Sequence, residues 1–306
     1  MTQLSEADVT RAFHGQPHKR IEVGTSSVAY WQFGSGPDVV LVHGWPLHSA
    51  TFRRIIPRLA QNFTLHAFDL AGTGKTISDE GTSSHLLAHA ELVKKVINSL
   101  DVKRYAVLAH DSGAAIARFA IAGDRRLAGL VMGNTEIPGH RPPGIAYAVG
   151  ASKLPGFQTL AMMAMKSKWL RMSRYGFGTC FTDPSYAEGE FSKFFIEPFA
   201  RPSVANGQLQ LVKDFDIPLI DKLEVCHRDI AAPTLCIWGP GDPFFPIAKA
   251  RRMLDQFAGG ATLVEVPRAK LFAHEDHPDA FAKYAKKFLV DCFEKKTKVA
   301  AISSQS

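Results

Sequence analysis

The stretch that decides the fold is VLAHDSGAA, at residues 107–115. Its first residues continue an apolar run that starts at Tyr105 and is typical of a strand buried on both faces. A helical pattern begins at Gly113, so the strand passes into a helix across a very short turn. Ala109 and Gly113 flank Asp111 at two residues on either side, and their small size lets strand and helix approach. The pattern predicts a carboxylate at the tip of this turn, where the N–H groups of a helix N-terminus favour an anion.

Apolar runs and helical patterns alternate on both sides of this unit. The predicted strands are short apolar runs bounded by Gly, Pro or Asp, at residues 39–42, 64–68, 105–108, 127–131, 234–238 and 262–266. An antiparallel hairpin is predicted over residues 20–33, and helical patterns cover residues 85–100, 113–121 and 278–293. Alternation of this kind predicts an α/β fold with a mostly parallel sheet flanked by helices.

The alternation stops between residues 137 and 230. This segment contains no convincing strand, is rich in Met and aromatic residues, and has helical patterns at residues 157–172 and 189–199. We interpret residues 1–136 and 231–306 as one core, and residues 137–230 as an inserted helical cap over one edge of the sheet.

The composition excludes several classes of protein. Of 306 residues, 46% are hydrophobic and 21% charged, which is typical of a globular chain and not of a disordered one. The net charge of +7 is mild, and residues 137–230 hold 11 Lys and Arg against 9 Asp and Glu, so no basic face for nucleic acid is predicted. No apolar run reaches the roughly 18 residues of a membrane helix, and no secretory signal is visible. We therefore expect a cytoplasmic protein with neither a membrane nor a nucleic-acid partner.

Metal and cofactor sites are not expected. The four cysteines form no CxxC pair, and His85 and His89 lie one helical turn apart without a third ligand in view. Residues 71–76 end like a phosphate-binding loop, but Asp69 stands where such a loop begins with glycine.

Three further motifs stand next to predicted strands: HGWP at residues 43–46, DLAGTG at 69–74 and WGPGDP at 238–243. In order and spacing, these motifs and the turn at Asp111 resemble the α/β-hydrolase fold, in the branch of epoxide hydrolases, haloalkane dehalogenases and fluoroacetate dehalogenases. The resemblance covers about residues 20–292, the cap only loosely. It implies a nucleophile elbow centred on Asp111, with a small, largely apolar electrophile as substrate and an aspartyl ester as intermediate.

The resemblance also implies roles for other residues. Asp242 is the first choice for the acid that orients a catalytic histidine, and Glu136 is the alternative. The backbone N–H groups of Trp45 and Ser112 would hold the oxyanion that forms as the ester breaks down. Candidates for substrate contacts are aromatic residues of the cap, namely Tyr147, Trp169, Tyr175 and Tyr186.

The catalytic histidine is missing from its expected place. In the family it stands seven residues before the proline that opens the last helix, and counting back from Pro278 reaches Leu271. His274 lies three residues later, displaced by about 4.5 Å along a helix axis. Two interpretations stay open. In one, His274 replaces the base; in the other, the protein has no working base and only binds or covalently traps ligands.

The residue after the nucleophile bears on the substrate. Haloalkane dehalogenases have a tryptophan there that grips the halide, and fluoroacetate dehalogenases have an arginine, whereas this chain has Ser112. We therefore favour epoxide hydrolysis, with dehalogenation of haloalkanes or haloacids as the alternative.

Overall fold

The computed structural model describes residues 4–79, 81–173 and 176–303. Nine strands form one sheet. They are β1 Lys19–Val23, β2 Ser26–Phe33, β3 Asp38–Val42, β4 Thr64–Phe68, β5 Ile77–Ser78, β6 Tyr105–Ala109, β7 Leu127–Met132, β8 Thr234–Trp238 and β9 Ala261–Glu265.

The α-helices follow the strands along most of the chain. They are α1 Glu6–His14, α2 Ile56–Leu59, α3 Leu86–Ser99, α4 Ser112–Ile121, α5 Pro143–Ser152, α6 Phe157–Lys166, α7 Lys168–Met172, α8 Pro202–Lys213, α9 Leu223–Asp229, α10 Ile247–Met253, α11 Ala273–Asp276 and α12 Pro278–Ser303.

The sheet order is β1-β2-β4-β3-β6-β7-β8-β9, with β5 paired to β2. Pairing is parallel from β4 to β9 and antiparallel where β2 meets β1, β4 and β5. Every residue of β6, β7 and β8 is buried, because helices cover both faces of the central sheet. The prediction of an α/β-hydrolase fold with a mostly parallel sheet is confirmed.

The N-terminal helix α1 was not predicted. Its start is fixed by a capping box, in which the side chains of Ser5 and Asp8 satisfy one another's backbone N–H groups. Val9 and Phe13 are buried, and the ring of Phe13 lies 5.1 Å from that of Trp31 on β2. The helix therefore closes one side of the core.

Two helical patterns of the inserted segment are interrupted in the structure. The pattern over residues 157–172 divides into α6 and α7 at Ser167, whose hydroxyl accepts a hydrogen bond from the N–H of Leu170. The pattern over residues 189–199 becomes a π-helix, Ser192–Ile196, followed by a 3-10 helix, Glu197–Ala200. The sequence predicted helix in both places and missed these interruptions.

The segment between β7 and β8 packs against loops at the carboxyl ends of the strands. Helix α8 approaches the loop after β4 so closely that a Cβ atom on Gly207 would lie 2.6 Å from the carbonyl oxygen of Gly72. Among the described residues of this segment there are helices and loops only. Its division from the core as a separate cap domain stays a prediction. No described helix has the length and apolar character needed to cross a bilayer.

Candidate active site

Asp111 lies in the turn between β6 and α4 with φ 53° and ψ −142°. Few residues other than glycine adopt a positive φ, and such strain persists only where the surroundings enforce it. The N–H of Asp111 donates to the carbonyl of Asn134 at 2.9 Å. Its carbonyl accepts from the Ala114 N–H and from the Thr135 hydroxyl, both at 2.8 Å. Bonds on both sides of the residue thus hold the strained turn.

Glycines make room for this turn. A Cβ atom on Gly44 would lie 2.6 Å from Oδ2 of Asp111, and one on Gly113 would lie 2.2 Å from the carbonyl oxygen of His43. The second contact joins helix α4 to the loop after β3 by direct backbone packing. Substitution at either glycine would therefore displace the nucleophile or the loop beside it.

Three buried carboxyl groups, those of Asp111, Glu136 and Asp242, gather at this edge of the sheet. Burial raises the pKa of Asp111 well above its ordinary value, and the charges of Glu136 and Asp242 raise it further. Burial also raises the pKa of Glu136, and raises that of Asp242 to about 6. Because like charges repel at short range, the cluster keeps a proton at a pH where exposed carboxyl groups have lost theirs.

Asp242 is held by hydrogen bonds to both of its oxygens. Its carboxylate accepts from Nδ2 of Asn134 at 2.7 Å and from the backbone N–H groups of Phe244 and Phe245 at 2.7 and 3.2 Å. The Asn134 side chain also donates to the carbonyl of Gly239 and accepts from its N–H. Asn134 therefore ties the Asp242 loop to the turn at Asp111. The sequence contained no motif that would have singled it out.

Glu136 lies beside a buried arginine network. The Thr135 hydroxyl, whose proton goes to the Asp111 carbonyl, lies 2.9 Å from a carboxyl oxygen of Glu136. The fully buried guanidinium of Arg118 donates to the Thr135 hydroxyl and to the Glu136 carbonyl, both at 2.9 Å. Glu136 also lines a cavity of about 10 Å³, enough for about one water molecule, together with Ile145, Phe245 and other residues.

The two predicted oxyanion donors are both next to Asp111, and each already makes a hydrogen bond. The Ser112 N–H donates to the Asp111 carboxylate and favours its ionised form. The Trp45 N–H donates to the Ser112 hydroxyl at 2.8 Å, and that hydroxyl lies 3.5 Å from Oδ2 of Asp111. Trp45 therefore becomes available to an oxyanion only when the Ser112 side chain rotates.

His43 shapes the loop that presents Trp45. Its Nε2 accepts from the Leu70 N–H at 3.0 Å, so in the neutral ring Nδ1 carries the proton, which it donates to the carbonyl of Gly44 at 3.1 Å. Burial lowers the pKa of His43 to about 4, which keeps the ring neutral. His43 thus joins the loop after β3 to the loop after β4.

The structure does not bring His274 together with the predicted acids. The ring is fully buried, its Nε2 lies 2.7 Å from the Thr51 hydroxyl, and its centre lies 4.2 Å from that of His110. Burial, followed by the neighbouring His110, lowers the pKa of His274 well below its ordinary value. In the described residues no hydrogen bond joins it to Asp242 or Glu136. This placement is that of a core residue.

Leu271 is buried at the position where the base was expected. Its carbonyl accepts from Nε2 of His110 at 3.0 Å, which anchors the loop between β9 and α11 to the residue before the nucleophile. Within the part of the chain that the structure describes, no imidazole is hydrogen-bonded to any of the three carboxyl groups.

The predicted aromatic contacts lie elsewhere. Tyr147 and Trp169 are exposed, and the Tyr186 hydroxyl accepts from Arg54, away from the carboxyl groups. Tyr175 lies outside the described residues. The sequence could not place these side chains because an inserted segment of loosely matched helices has no fixed register against the core.

Comparison with known proteins agrees with this geometry. Residues 39–284 match the model of the alpha/beta hydrolase family. Haloalkane dehalogenase 2 of Mycobacterium tuberculosis is 28% identical over 263 residues, covering 83% of this chain and 88% of the relative. Pimeloyl-[acyl-carrier protein] methyl ester esterase of Pectobacterium carotovorum is 27% identical over 267 residues, covering 83% and 95%. The structure of the epoxide hydrolase CorEH superposes with a TM-score of 0.74 at 19% identity, covering 90% and 99%. The chain therefore belongs to the α/β-hydrolase family.

Proposed function

We propose that this chain hydrolyses small, largely apolar epoxides through an ester formed on Asp111. The observation that carries the proposal is the backbone of Asp111, a non-glycine residue at φ 53° between a buried strand and a helix. Strain of this kind is retained at sites that use it to present a reactive side chain. The similarity to a haloalkane dehalogenase supports the same chemistry, since displacement at carbon by a carboxylate serves both reactions.

In the first step the ionised carboxylate of Asp111 attacks an epoxide carbon. The ring C–O bond breaks, and the ring oxygen takes a proton. Glu136 is the donor in this proposal, because it lies in the carboxyl cluster, lines a cavity beside it, and can carry the proton that the cluster shares. The proton thus comes from a core residue, whereas the sequence suggested only substrate contacts from aromatic residues of the inserted segment.

In the second step the Glu136 carboxylate accepts a proton from water as the hydroxide adds to Cγ of the Asp111 ester. The negative charge on the resulting tetrahedral centre lies beside the Ser112 N–H, and beside the Trp45 N–H once the Ser112 hydroxyl rotates. The ester bond then breaks, and Glu136 returns its proton to the departing alcohol. Epoxide and water have become a diol, and the two carboxyl groups again share one proton.

Dehalogenation is the weaker alternative on this geometry. A halide leaves as an anion and needs no proton, so a neighbouring acid gives it no help. An epoxide, in contrast, uses the proton that the carboxyl cluster retains.

Oxygen labelling tests the intermediate. An excess of enzyme is mixed with an epoxide in water enriched in ¹⁸O, and one turnover is followed by mass spectrometry of the diol and of the peptide that contains Asp111. Because water attacks Cγ of the ester, we expect the first diol to be unlabelled and the label to enter Asp111. Label in the first diol would show direct attack by water and overturn the proposal. A stable adduct on Asp111 without diol would show that the chain traps its ligand.

A further inference from the structure

The inserted segment has two halves that differ in charge. All of its Asp and Glu residues lie between Asp183 and Asp229, so the stretch over residues 137–182 carries no acidic side chain. Its basic residues are Arg141, Lys153, Lys166, Lys168, Arg171 and Arg174. Arg141 pairs with Asp221, and Arg171 with Glu188. The side chains of the three lysines make no hydrogen bond or ion pair with the described residues, and Lys168 acts on Glu188 only through its charge, so they are open to a partner.

The same stretch exposes an unusual amount of apolar surface. Of the large hydrophobic side chains exposed in the described chain, five lie between residues 147 and 169, each 63% to 78% exposed: Tyr147, Leu154, Leu160, Met163 and Trp169. Scattered single exposures are normal, but a concentration of this kind marks an interaction site.

The apolar and basic side chains share one outward surface on α6. Leu160 and Met163 are three residues apart and lie on the same face of the helix, and Lys166 continues that face. Helix α6 contacts α5 before it and α7 behind it, where Lys168 and Trp169 are exposed. We call the exposed side chains of α5, α6, α7 and the loop after α5 the cationic apolar surface.

We propose that the cationic apolar surface docks reversibly on an anionic lipid bilayer. Aromatic and aliphatic side chains would enter the boundary between head groups and acyl chains, while the lysines meet lipid phosphates. The protein lies on the bilayer and does not cross it, consistent with the absence of a spanning helix among the described residues. This differs from the expectation of no membrane partner, which rested on the absence of an apolar run long enough to span a bilayer and of a visible secretory signal. The proposal does not depend on the chemistry at Asp111.

A second copy of the chain fits this surface poorly. In a symmetric dimer the same patch meets itself, so Lys166 and Lys168 would face the same lysines of the partner without a carboxylate in the patch to neutralise them. An anionic bilayer supplies the missing charge and accepts the apolar side chains in the same contact.

Vesicle binding tests the proposal. The protein is mixed with vesicles of phosphatidylglycerol and phosphatidylcholine in equal parts, or of phosphatidylcholine alone, and bound protein is measured by co-sedimentation. We expect binding to the anionic vesicles that weakens as salt shortens the screening length from about 10 Å at 0.1 M to about 3 Å at 1 M. Trp169 fluorescence should shift to shorter wavelength on binding, and the shift should disappear in Trp169→Phe while binding persists. Equal binding to both vesicle types, or none to either, would overturn the proposal.

Charge reversals locate the contact. Lys166→Glu with Lys168→Glu should lower the partition coefficient at least about tenfold, since each lysine near an anionic surface contributes on the order of 1 kcal/mol. The control is Lys283→Glu with Lys287→Glu, an equal charge change at exposed positions of α12, which should leave binding nearly unchanged. A larger loss in the control pair would contradict the assignment. A dimer that forms without lipid, seen by sedimentation velocity, would also contradict the assignment if the double variant Leu160→Ser with Met163→Ser dissociates it.

Discussion

The turn at Asp111 and the loop between β9 and α11 differ in what positions their side chains. At the turn, the strand, the nucleophile and the helix are consecutive in sequence, and small residues close the backbone around Asp111. In the later loop, Leu271 occupies the place expected for the base, and His274 points into the core toward Thr51. The nucleophile is thus set by local chain geometry, whereas a base depends on contacts with residues more than a hundred positions away.

This difference separates two parts of the reaction. Formation of an ester needs Asp111 and a proton for the leaving oxygen, and the carboxyl cluster contains both. Hydrolysis of that ester normally needs a base such as an imidazole, and among the described residues no imidazole is hydrogen-bonded to the carboxyl cluster. Ester formation should therefore be fast relative to ester hydrolysis. The active-site variants below are chosen to separate these two steps.

The largest effect is expected from Asp111→Asn. An amide is not a nucleophile, so turnover should fall by at least about 10⁴-fold and no adduct should form, as measured by diol release and intact mass. Adduct formation in this variant would place the nucleophile elsewhere.

A stability measurement controls for damage to the fold in Asp111→Asn. The folded state raises the pKa of Asp111, so the wild type loses stability as pH rises from the ordinary value near 3.8 through the raised value. The asparagine variant carries no such charge. Its melting temperature should equal or exceed that of the wild type at neutral pH, and the gap should narrow as the pH falls.

Glu136→Gln should lower turnover of epoxides by roughly 10²- to 10⁴-fold, because the ring oxygen loses its proton donor. With an alkyl bromide, which needs no proton, ester formation should proceed at the wild-type rate. Rapid-quench measurements give the rate of ester formation with each substrate. Because both rates come from the same variant, each serves as the control for the other. Equal losses on both would show that Glu136 positions Asp111 and does not supply a proton.

Glu136→Gln should also change how the rate of ester formation depends on pH. Wild-type ester formation needs Asp111 ionised and Glu136 protonated, so its rate should rise and then fall with pH, with apparent pKa values that belong to the coupled pair. Glutamine cannot lose a proton, so the fall on the alkaline side should be absent for the residual activity.

Leu271→His should accelerate ester hydrolysis by about tenfold to a hundredfold, because an imidazole would stand where the family places its base. The measurement is the rate at which the Asp111 adduct decays. Leu271→Gln, a polar side chain without a titratable group, is the matched control and should leave the decay unchanged. If both variants decay at the wild-type rate, this position does not face the ester.

The smallest effect is expected from His274→Gln. Glutamine can still reach the Thr51 hydroxyl from about the place of Nε2, so the free energy of unfolding should fall by only about 1 kcal/mol, and turnover should hold at temperatures well below the melting point. A base role for His274 requires the opposite, a loss of turnover with stability retained.

The features that could be predicted from the sequence are those that residues close together in the chain determine. The strands other than β5, which was missed, and the turn at Asp111 follow from apolar runs and small residues, and these were predicted to within about a residue. Asn134, which links the Asp242 loop to the turn, contributes through a carbonyl and an amide that no pattern marks. The bond from Trp45 to the Ser112 hydroxyl joins residues far apart in the chain and is visible only in three dimensions. The register of the inserted helices against the core is of the same kind, so the sequence could not show which of their aromatic side chains approach the site.

The contact between Gly207 and Gly72 fixes how closely helix α8 approaches the loop after β4. Two backbones meet there with no room for a methyl group, and the next residue, Gln208, accepts a hydrogen bond from the ring N–H of Trp45. The substitution Gly207→Ala would push α8 away from the core and break the hydrogen bond between Trp45 and Gln208. The position of Trp45 beside the Ser112 hydroxyl therefore depends on the backbone at this one point, and a single methyl group is enough to disturb it.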